Sequence, residues 1–131
     1  MRYLLDTNVV IRLLNSDQQI TRRVHRLERS DFGLPIMVMH ELYFGAFKSL
    51  RLERNVSFLE ALDFEILDFQ LQDAITAGEI RATLAARGTP IGPFDLLIAG
   101  QAVARNLILI TNNLREFNRI DALHVEDWQA P

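Results

Sequence analysis

Cysteine is absent from this sequence of 131 residues, and lysine occurs once, at Lys48. The missing thiols exclude disulfide bonds, thiolate nucleophiles and zinc–sulfur centres, so a metal ion would need oxygen ligands or histidine. The three histidines, His25, His40 and His124, are scattered without the spacing of a ligand pair. The carboxylates are therefore the groups from which chemistry is expected.

Long apolar runs are also missing. No segment approaches the roughly 20 consecutive apolar residues that a membrane span needs, and no charged leader precedes a long apolar segment. We therefore expect a soluble, cytoplasmic protein without a membrane contact. An apolar content of 49% over 131 residues is enough for one sizeable core. Residues 1–131 are expected to form a single domain.

An excess of positive charge is the third absence. The formal net charge is -3, whereas most nucleic-acid-binding domains are basic. Arginine nevertheless dominates the basic residues, which suits bidentate contacts with phosphate or carboxylate groups, although a GC-rich codon supply explains the bias equally well. A helix predicted over residues 17–28 carries Arg22, Arg23, Arg26 and Arg29 on its outer side. This basic face is expected to be either a solvated surface or a contact for a phosphate backbone or another partner.

The order of the predicted elements indicates an α/β fold. Unbroken apolar runs at residues 3–5 and 107–110 are typical of strands that are covered on both faces of a parallel sheet. The alternation of strands and helices predicts a three-layer sandwich with a central parallel β-sheet of four to five strands, in which these two strands lie side by side at the topological switch point. Strands are predicted at residues 3–5, 34–38, 64–67, 107–110 and 123–125, and helices at 8–15, 17–28, 52–62, 70–87 and 114–117, with two more that begin near 38 and at 93.

Five polar side chains follow these strands or begin the neighbouring helices. Asp6 follows the first strand, Glu41 lies in about the first turn of the helix after the second, and Asp95 opens the helix before residues 107–110. Asn113 and the nearby Glu116 follow that last apolar strand. These positions share one edge of a parallel sheet, so we expect the side chains in one crevice. Each acid taken alone has a plainer explanation as a helix cap or as a partner of the helix dipole.

The predicted cluster of carboxylates indicates a cation site. Carboxylates that are brought together without a cationic lysine or histidine repel one another and raise one another's pKa, so the arrangement is costly unless a cation binds. Oxygen ligands without cysteine or patterned histidine favour a hard ion, Mg²⁺ or Mn²⁺. The chemistry that such ions perform on phosphodiesters is the in-line attack of an activated water. The residues thus predict metal-dependent phosphodiester hydrolysis.

Four segments of the chain resemble the PIN-domain ribonucleases, and specifically the VapC-type toxins of bacterial toxin–antitoxin pairs. The segments are LLDTN at residues 4–8, HEL at 40–42, PIGPFDLLIA at 90–99 and ITNNLREF at 110–117. The resemblance covers essentially the whole chain, including VEDW at residues 125–128. Each segment alone would be a weak signal, but four in the right order and spacing make the match specific.

The resemblance implies roles for individual residues. Asp6, Glu41 and Asp95 match the metal-binding acids of the family, and Thr7 and Thr111 match residues that line the site. These assignments come from the similarity and not from spacing or composition.

The sequence departs from the family pattern at one of these positions. Asn113 stands where many relatives carry a fourth aspartate. The change removes one negative charge, and we expect it to weaken a second metal site until an RNA phosphate supplies further oxygens. Glu116 is near enough in sequence to compensate. Asp6, Glu41, Asp95 and Asn113 are thus the expected catalytic residues, and Thr7, Thr111 and Glu116 the supporting ones.

The resemblance also implies a substrate and partners. Proteins of this type cleave RNA, often a transfer RNA at a defined place, act as homodimers, and form higher assemblies with a cognate antitoxin whose tail occupies the acidic groove. The sequence names neither the RNA nor the antitoxin. Val56 and Leu59, on the helix predicted over 52–62, are candidates for dimer contacts or for ordinary core residues.

Two other functions compete with RNA cleavage. A phosphoaspartate enzyme would also place a strand-end aspartate beside Mg²⁺, but it needs a lysine beyond a later strand, whereas Lys48 lies on the helix after the second strand. Its phosphatase form also needs an aspartate two residues after the nucleophile, where this chain has Asn8. The second alternative is a catalytically weak or inactive PIN-like module, impaired by Asn113, whose acidic groove only binds a basic partner peptide.

Overall fold

Short parallel strands and surrounding helices alternate in the computed structural model, which describes residues 1–129. The strands are β1 (Tyr3–Leu5), β2 (Phe32–Pro35), β3 (Glu65–Leu67), β4 (Ile108–Ile110) and β5 (Val125–Glu126). The helices are α1 (Thr7–Leu14), α2 (Gln18–His25), α3 (Ile36–Phe47), α4 (Leu52–Glu60), α5 (Leu71–Ala86), α6 (Pro93–Ala104) and α7 (Leu114–Phe117). A short 3₁₀ turn at Arg29–Asp31 leads into β2.

The five strands form one parallel sheet in the order β3-β2-β1-β4-β5. The chain winds from β1 towards β3 on one side and then crosses to β4 and β5 on the other, so the switch point lies between β1 and β4. Leu5 is paired with Ile110 at the carboxyl ends of these two strands. Asp6 directly follows β1 and Thr111 directly follows β4. The pairing of the two strands therefore brings these residues, which are far apart in sequence, into contact. The predicted α/β class and the adjacency of these strands are confirmed.

The central strands and α6 form the core of the molecule. Leu4, Leu5, Leu109 and Ile110 are fully buried, as expected for strands that are covered on both faces. Helix α6 is buried along most of its length, and its Gly100 lies so close to α5 that an added Cβ would be 2.5 Å from the Ala77 Cβ. The close packing of α5 on α6 fixes the direction in which the first turn of α6 points.

A buried ion pair also holds α5 and α6 together. The guanidinium of Arg105, just after α6, donates to both carboxylate oxygens of Asp73, at 3.2 Å from Nε and 2.8 Å from Nη2. Arg105 Nη2 and Gln101 Nε2 also donate to the backbone carbonyl of Asp68, which follows β3. This network ties the far end of α6 to the edge of the sheet. It joins residues about 30 positions apart, and no local pattern in the sequence indicated it.

The second strand was predicted in the wrong place. It covers Phe32–Pro35, not residues 34–38, and α3 already begins at Ile36. Pro35 stands at the end of the strand with φ -58° and ψ 143°, where its missing N–H breaks no helical hydrogen bond. The following apolar residues, among them Met37 and Val38, are buried on several sides of a helix and so resemble a strand in sequence. As a result Glu41 lies in the second turn of α3, not in the first.

Smaller differences concern the ends of elements and the dimer candidates. The last strand is Val125–Glu126 and not residues 123–125. Leu59 is buried in the core and Val56 packs partly buried against it, which favours the explanation of both as core residues. Within residues 1–129, none of the helices combines the length and the apolar character of a membrane span.

Candidate active site

Asp6 is the most buried acid of the predicted crevice, with 6% of its surface exposed. Its Oδ1 accepts a hydrogen bond from the Thr7 backbone N–H at 2.8 Å, and its Oδ2 accepts one from the Thr111 hydroxyl at 2.7 Å. Burial raises the pKa of Asp6, and the bonds from Thr111 and Thr7 offset part of that rise. Asp6 is the N-cap of α1, as expected for an acid that caps a helix. Capping explains the hydrogen bond of only one of its two carboxylate oxygens.

The segment after β4 joins Asp6 to Asp95 through a chain of hydrogen bonds. The buried Thr111 hydroxyl accepts from the Asn113 backbone N–H at 3.0 Å while it donates to Asp6. The Asn113 side-chain amide donates to Asp95 Oδ2 at 3.4 Å. Thr111 and Asn113 therefore hold two acids that belong to different helices. An asparagine in this place can donate to a carboxylate, which an ionised aspartate could not do.

Asp95 lies in the first turn of α6, which Pro93 begins as predicted. The N-cap of α6 is Gly92 and Asp95 is the third residue of the helix, so Asp95 is not the capping residue of α6. The pKa of Asp95 is raised to about 7, mainly by burial and further by Glu116 and by the charges of Asp6 and Glu41. Glu116, on α7, therefore belongs to the same cluster. At neutral pH Asp95 is shared between its charged and its neutral form.

Glu41 completes the cluster from the second turn of α3. Burial raises the pKa of Glu41, the charge of Asp6 raises it further, and the Thr7 hydroxyl and His40 partly oppose these effects. Thr7 Oγ1 is buried without a hydrogen-bond partner of good geometry in the described part of the chain. An orphaned buried hydroxyl beside two carboxylates is a polar atom that a bound ion or its water could satisfy.

Within residues 1–129, no lysine, arginine or histidine forms an ion pair with this cluster. The ion pairs in that part of the chain are Arg12 with Asp17, Arg87 with Asp121, Arg105 with Asp73 and His124 with Glu126. Carboxylates, hydroxyls and an amide are the donor set that a hard divalent cation prefers. As they are placed, no three acidic or histidine side chains among residues 1–129 form a ready-made metal-binding group. The chemistry of the donor set therefore fits Mg²⁺ or Mn²⁺. The carboxylates lie near one another but are not arranged in the geometry of a complete metal site.

The structure thus brings the sequence-predicted site residues into one place at the carboxyl edge of the sheet. They are Asp6, Thr7, Glu41, Asp95, Thr111, Asn113 and Glu116. The four arginines of the predicted basic face, Arg22, Arg23, Arg26 and Arg29, are all exposed, but Arg23 stacks over Trp128 and Arg29 over Phe64. Two of the four arginines therefore contact aromatic rings of the fold itself.

Sequence reasoning missed an aromatic pair beside the acids. Phe94 and His40 lie with ring centroids 5.2 Å apart and directly precede Asp95 and Glu41 in the chain. Both side chains are exposed. The available signal was that each neighbours a predicted site acid, but a sequence does not reveal which face of its helix such a neighbour occupies.

Comparison with known proteins gives consistent matches over the full chain. The family model "PIN domain" matches residues 3–123. The chain is 42% identical over 130 residues to the tRNA(fMet)-specific endonuclease VapC of Salmonella typhimurium and 39% identical over 133 residues to Ribonuclease VapC2 of Haemophilus influenzae, with 98% of both chains covered in each case. Among solved structures, the DNA-bound VapBC complex from Salmonella typhimurium contains a chain that superimposes with a TM-score of 0.92 at 43% identity, over 98% of both chains.

Proposed function

This chain belongs to the PIN-domain family, and from that premise we propose that its acidic crevice is the active site of a VapC-type toxin, an Mg²⁺- or Mn²⁺-dependent endoribonuclease. The observation that carries the proposal is the environment of Asp6, Glu41, Asp95 and Glu116. These carboxylates share one edge of the sheet, and no lysine, arginine or histidine of residues 1–129 forms an ion pair with them. Burial raises the pKa of Asp6, Glu41 and Asp95, and the charges of neighbouring acids raise those of Glu41 and Asp95 further. A cluster that costs stability in the free protein is expected where a cation is used.

The roles of the side chains follow from their contacts. Asp6, Glu41 and Asp95 would hold the metal ion, and Thr111 and the Thr7 N–H fix both oxygens of Asp6 so that its orientation is set before any ligand arrives. Asn113 orients Asp95, and Glu116 is the further acid that compensates for the missing fourth aspartate. When bound, Mg²⁺ or Mn²⁺ would activate water and stabilise charge on the phosphodiester. Burial of Asp6 strengthens all these electrostatic interactions, because bulk water is excluded.

The substrate and partners follow from the relatives. The Salmonella typhimurium relative is named for cleavage of tRNA(fMet), and we propose the same class of substrate, a transfer RNA, for this chain. VapBC complexes among the structural neighbours support a cognate antitoxin as its partner. We further propose a homodimer. Large exposed apolar side chains, such as Phe44 at 60%, Phe47 at 65% and Leu50 at 104% exposure, are consistent with surfaces that partner chains cover.

The test is cleavage of total RNA, and of an initiator tRNA transcript, by the purified protein with Mg²⁺ or Mn²⁺ and with excess chelator. We expect discrete products only with metal, and a loss of at least about 100-fold in rate for Asp6→Asn, because the side chain would no longer bind the ion as an anion. Asp17→Asn is the matched control, since Asp17 caps α2 by accepting from the Ile20 N–H but lies outside the cluster.

The outcomes separate the competing explanations. Loss of cleavage in Asp6→Asn with an unchanged thermal midpoint, and normal cleavage by Asp17→Asn, support the nuclease. Loss of activity that only follows loss of folding would instead favour a capping role for Asp6. Absence of metal-dependent cleavage in the wild type, together with tight binding of an arginine-rich peptide, would favour a module that only binds a basic partner.

A further inference from the structure

The Phe94–His40 pair lies beside two acids of the crevice. Phe94 is the second residue of α6 and His40 the fifth of α3, so the pair bridges the two helices that supply Asp95 and Glu41. The rings are tilted by 45° with centroids 5.2 Å apart. Each ring belongs to the residue directly before a site acid in the chain, so the pair lies close to the crevice.

The exposure of this pair is not explained by the fold. Phe94 keeps 45% of its surface exposed although it belongs to the most buried helix, and His40 is exposed as well. Ile36, one turn before His40 on the same side of α3, is 42% exposed. These three side chains form an apolar and aromatic patch next to a strongly acidic crevice, and a patch of that kind favours contact with a ligand.

The chemistry of the patch favours a nucleobase over a phosphate. The patch contains no arginine or lysine, so it has little attraction for the backbone of an RNA. Proteins that bind single-stranded or looped RNA stack the splayed bases on aromatic side chains, and stacking does not require a particular base. The two rings already contact each other, so a base would stack on the outer face of Phe94 while His40 supports the ring from behind.

We propose that Phe94, supported by His40, is a stacking platform for the nucleobase next to the scissile phosphate. The platform is a substrate-positioning element that sets which bond enters the acidic crevice, and the inference rests on the nuclease function proposed above. Removing one aromatic platform from a single-stranded nucleic-acid site costs between about fivefold and about 150-fold in affinity. We therefore expect Phe94→Ala to lower kcat/KM within that range.

The decisive experiment uses the oligonucleotide stem-loop that spans the cleaved bond, once that bond has been mapped with wild-type protein. One version carries an abasic site and another carries 2-aminopurine at the nucleotide flanking the bond. Wild type should cleave the abasic version as slowly as Phe94→Ala cleaves the intact version. Phe94→Ala should cleave the abasic version no more slowly than the intact one. Phe94→Tyr should restore cleavage of the intact version, because it keeps the ring.

Binding provides a readout without turnover. On the cleavage-deficient Asp6→Asn protein, 2-aminopurine fluorescence should be quenched by stacking, and adding Phe94→Ala should restore the fluorescence. Leu71→Ala is the matched control, because Leu71 is 76% exposed on α5 near the opposite end of α6 and its truncation should change neither readout. Sedimentation velocity on the same variants records whether the patch is instead covered by a second copy of the chain.

The results distinguish this inference from the proposed function. One outcome is that wild type cleaves the intact stem-loop while Phe94→Ala reduces the cleavage rate equally on the intact and abasic versions. That result would show a nuclease without a stacking platform. A change of molecular mass in Phe94→Ala with unaltered fluorescence would likewise overturn the platform in favour of a dimer contact. If wild type cleaves no RNA with any metal, the proposed function fails first and the inference fails with it.

Discussion

Asp6 and Asp73 are two buried aspartates with opposite surroundings. Both are nearly inaccessible, at 6% and 1% exposure, but Asp73 faces the Arg105 guanidinium whereas Asp6 faces other carboxylates. Burial alone would raise the pKa of Asp73. The hydrogen bonds and charge of Arg105, together with the hydrogen bonds from Gln70 and Gln101, lower that pKa on balance. The pKa of Asp6 stays raised. The fold therefore satisfies the carboxylate that it uses for structure and leaves the other in need of a cation.

The pH dependence of stability should reveal the unsatisfied cluster. The pKa of Asp95 rises from 3.8 to about 7 in the fold, so between these values unfolding releases a proton that the native state binds. The free energy of unfolding of the metal-free protein should therefore fall as the pH rises from about 4 to about 7, and then level off. Urea unfolding in chelator at pH 5, 6, 7 and 8 measures this decline.

Asp95→Asn should remove most of that decline, because the amide does not titrate. Asp17→Asn is the control and should keep it, since Asp17 lies outside the cluster. Two results would show that the pKa of Asp95 is not raised in the fold. One is a wild-type stability that rises over this pH range, and the other is an unchanged pH slope in Asp95→Asn.

At the level of secondary-structure elements, α6 connects the acidic crevice to the structural ion pair. Its first turn presents Asp95, and about ten residues later Arg105 closes on Asp73 of α5. Between these ends, the contact of Gly100 with Ala77 leaves no space for a side chain. The position of Asp95 thus depends on packing along the whole helix.

Removing Arg105 should destabilise the protein far more than removing a surface arginine. Arg105→Ala leaves the Asp73 carboxylate buried and unpaired, for which we expect a loss of about 3 kcal/mol in the free energy of unfolding. Arg87→Ala breaks the exposed Arg87–Asp121 pair, whose side chains are 51% and 79% exposed, and should cost less than about 1 kcal/mol. Chemical denaturation of both variants measures the difference. Equal losses would mean that the buried pair contributes no more than a surface pair.

The same elements show what a sequence can and cannot reveal. Helix α6 was predicted from Pro93 because proline suits a first helical position, and β1 and β4 because their apolar runs are short and unbroken. The boundary between β2 and α3 was wrong because residues buried on several sides have neither the period of a strand nor that of a helix. The partners of Arg105 and the exposure of Phe94 depend on which helices meet, and that information is not local.

At the scale of the whole molecule, the acidic cluster is a stability cost that a bound cation should relieve. Any ligand that binds only the native state stabilises it, by about 2.7 kcal/mol at a concentration of 100 times its Kd. Adding Mn²⁺ or Mg²⁺ to the chelator-treated protein should therefore raise its thermal midpoint.

The same titration on Asp6→Asn and Asp17→Asn provides the controls. The first should lose most of the metal-dependent rise and the second should retain it. A thermal midpoint that no divalent cation changes in the wild type would argue against a metal site in this crevice and in favour of a protein that only receives a basic peptide.

The hydrogen bond from Thr111 to Asp6 spans 105 positions of the chain. During synthesis, Asp6 and Glu41 leave the ribosome long before β4 and the residues beyond it exist, and at about 5 to 20 residues per second this delay lasts several seconds. Until β4 pairs with β1, the early acids have neither Asp95 nor Thr111 beside them. The crevice is therefore incomplete on a chain that is still being synthesised, and a product that ends before β4 lacks Thr111, Asn113 and Glu116 and cannot assemble the cluster.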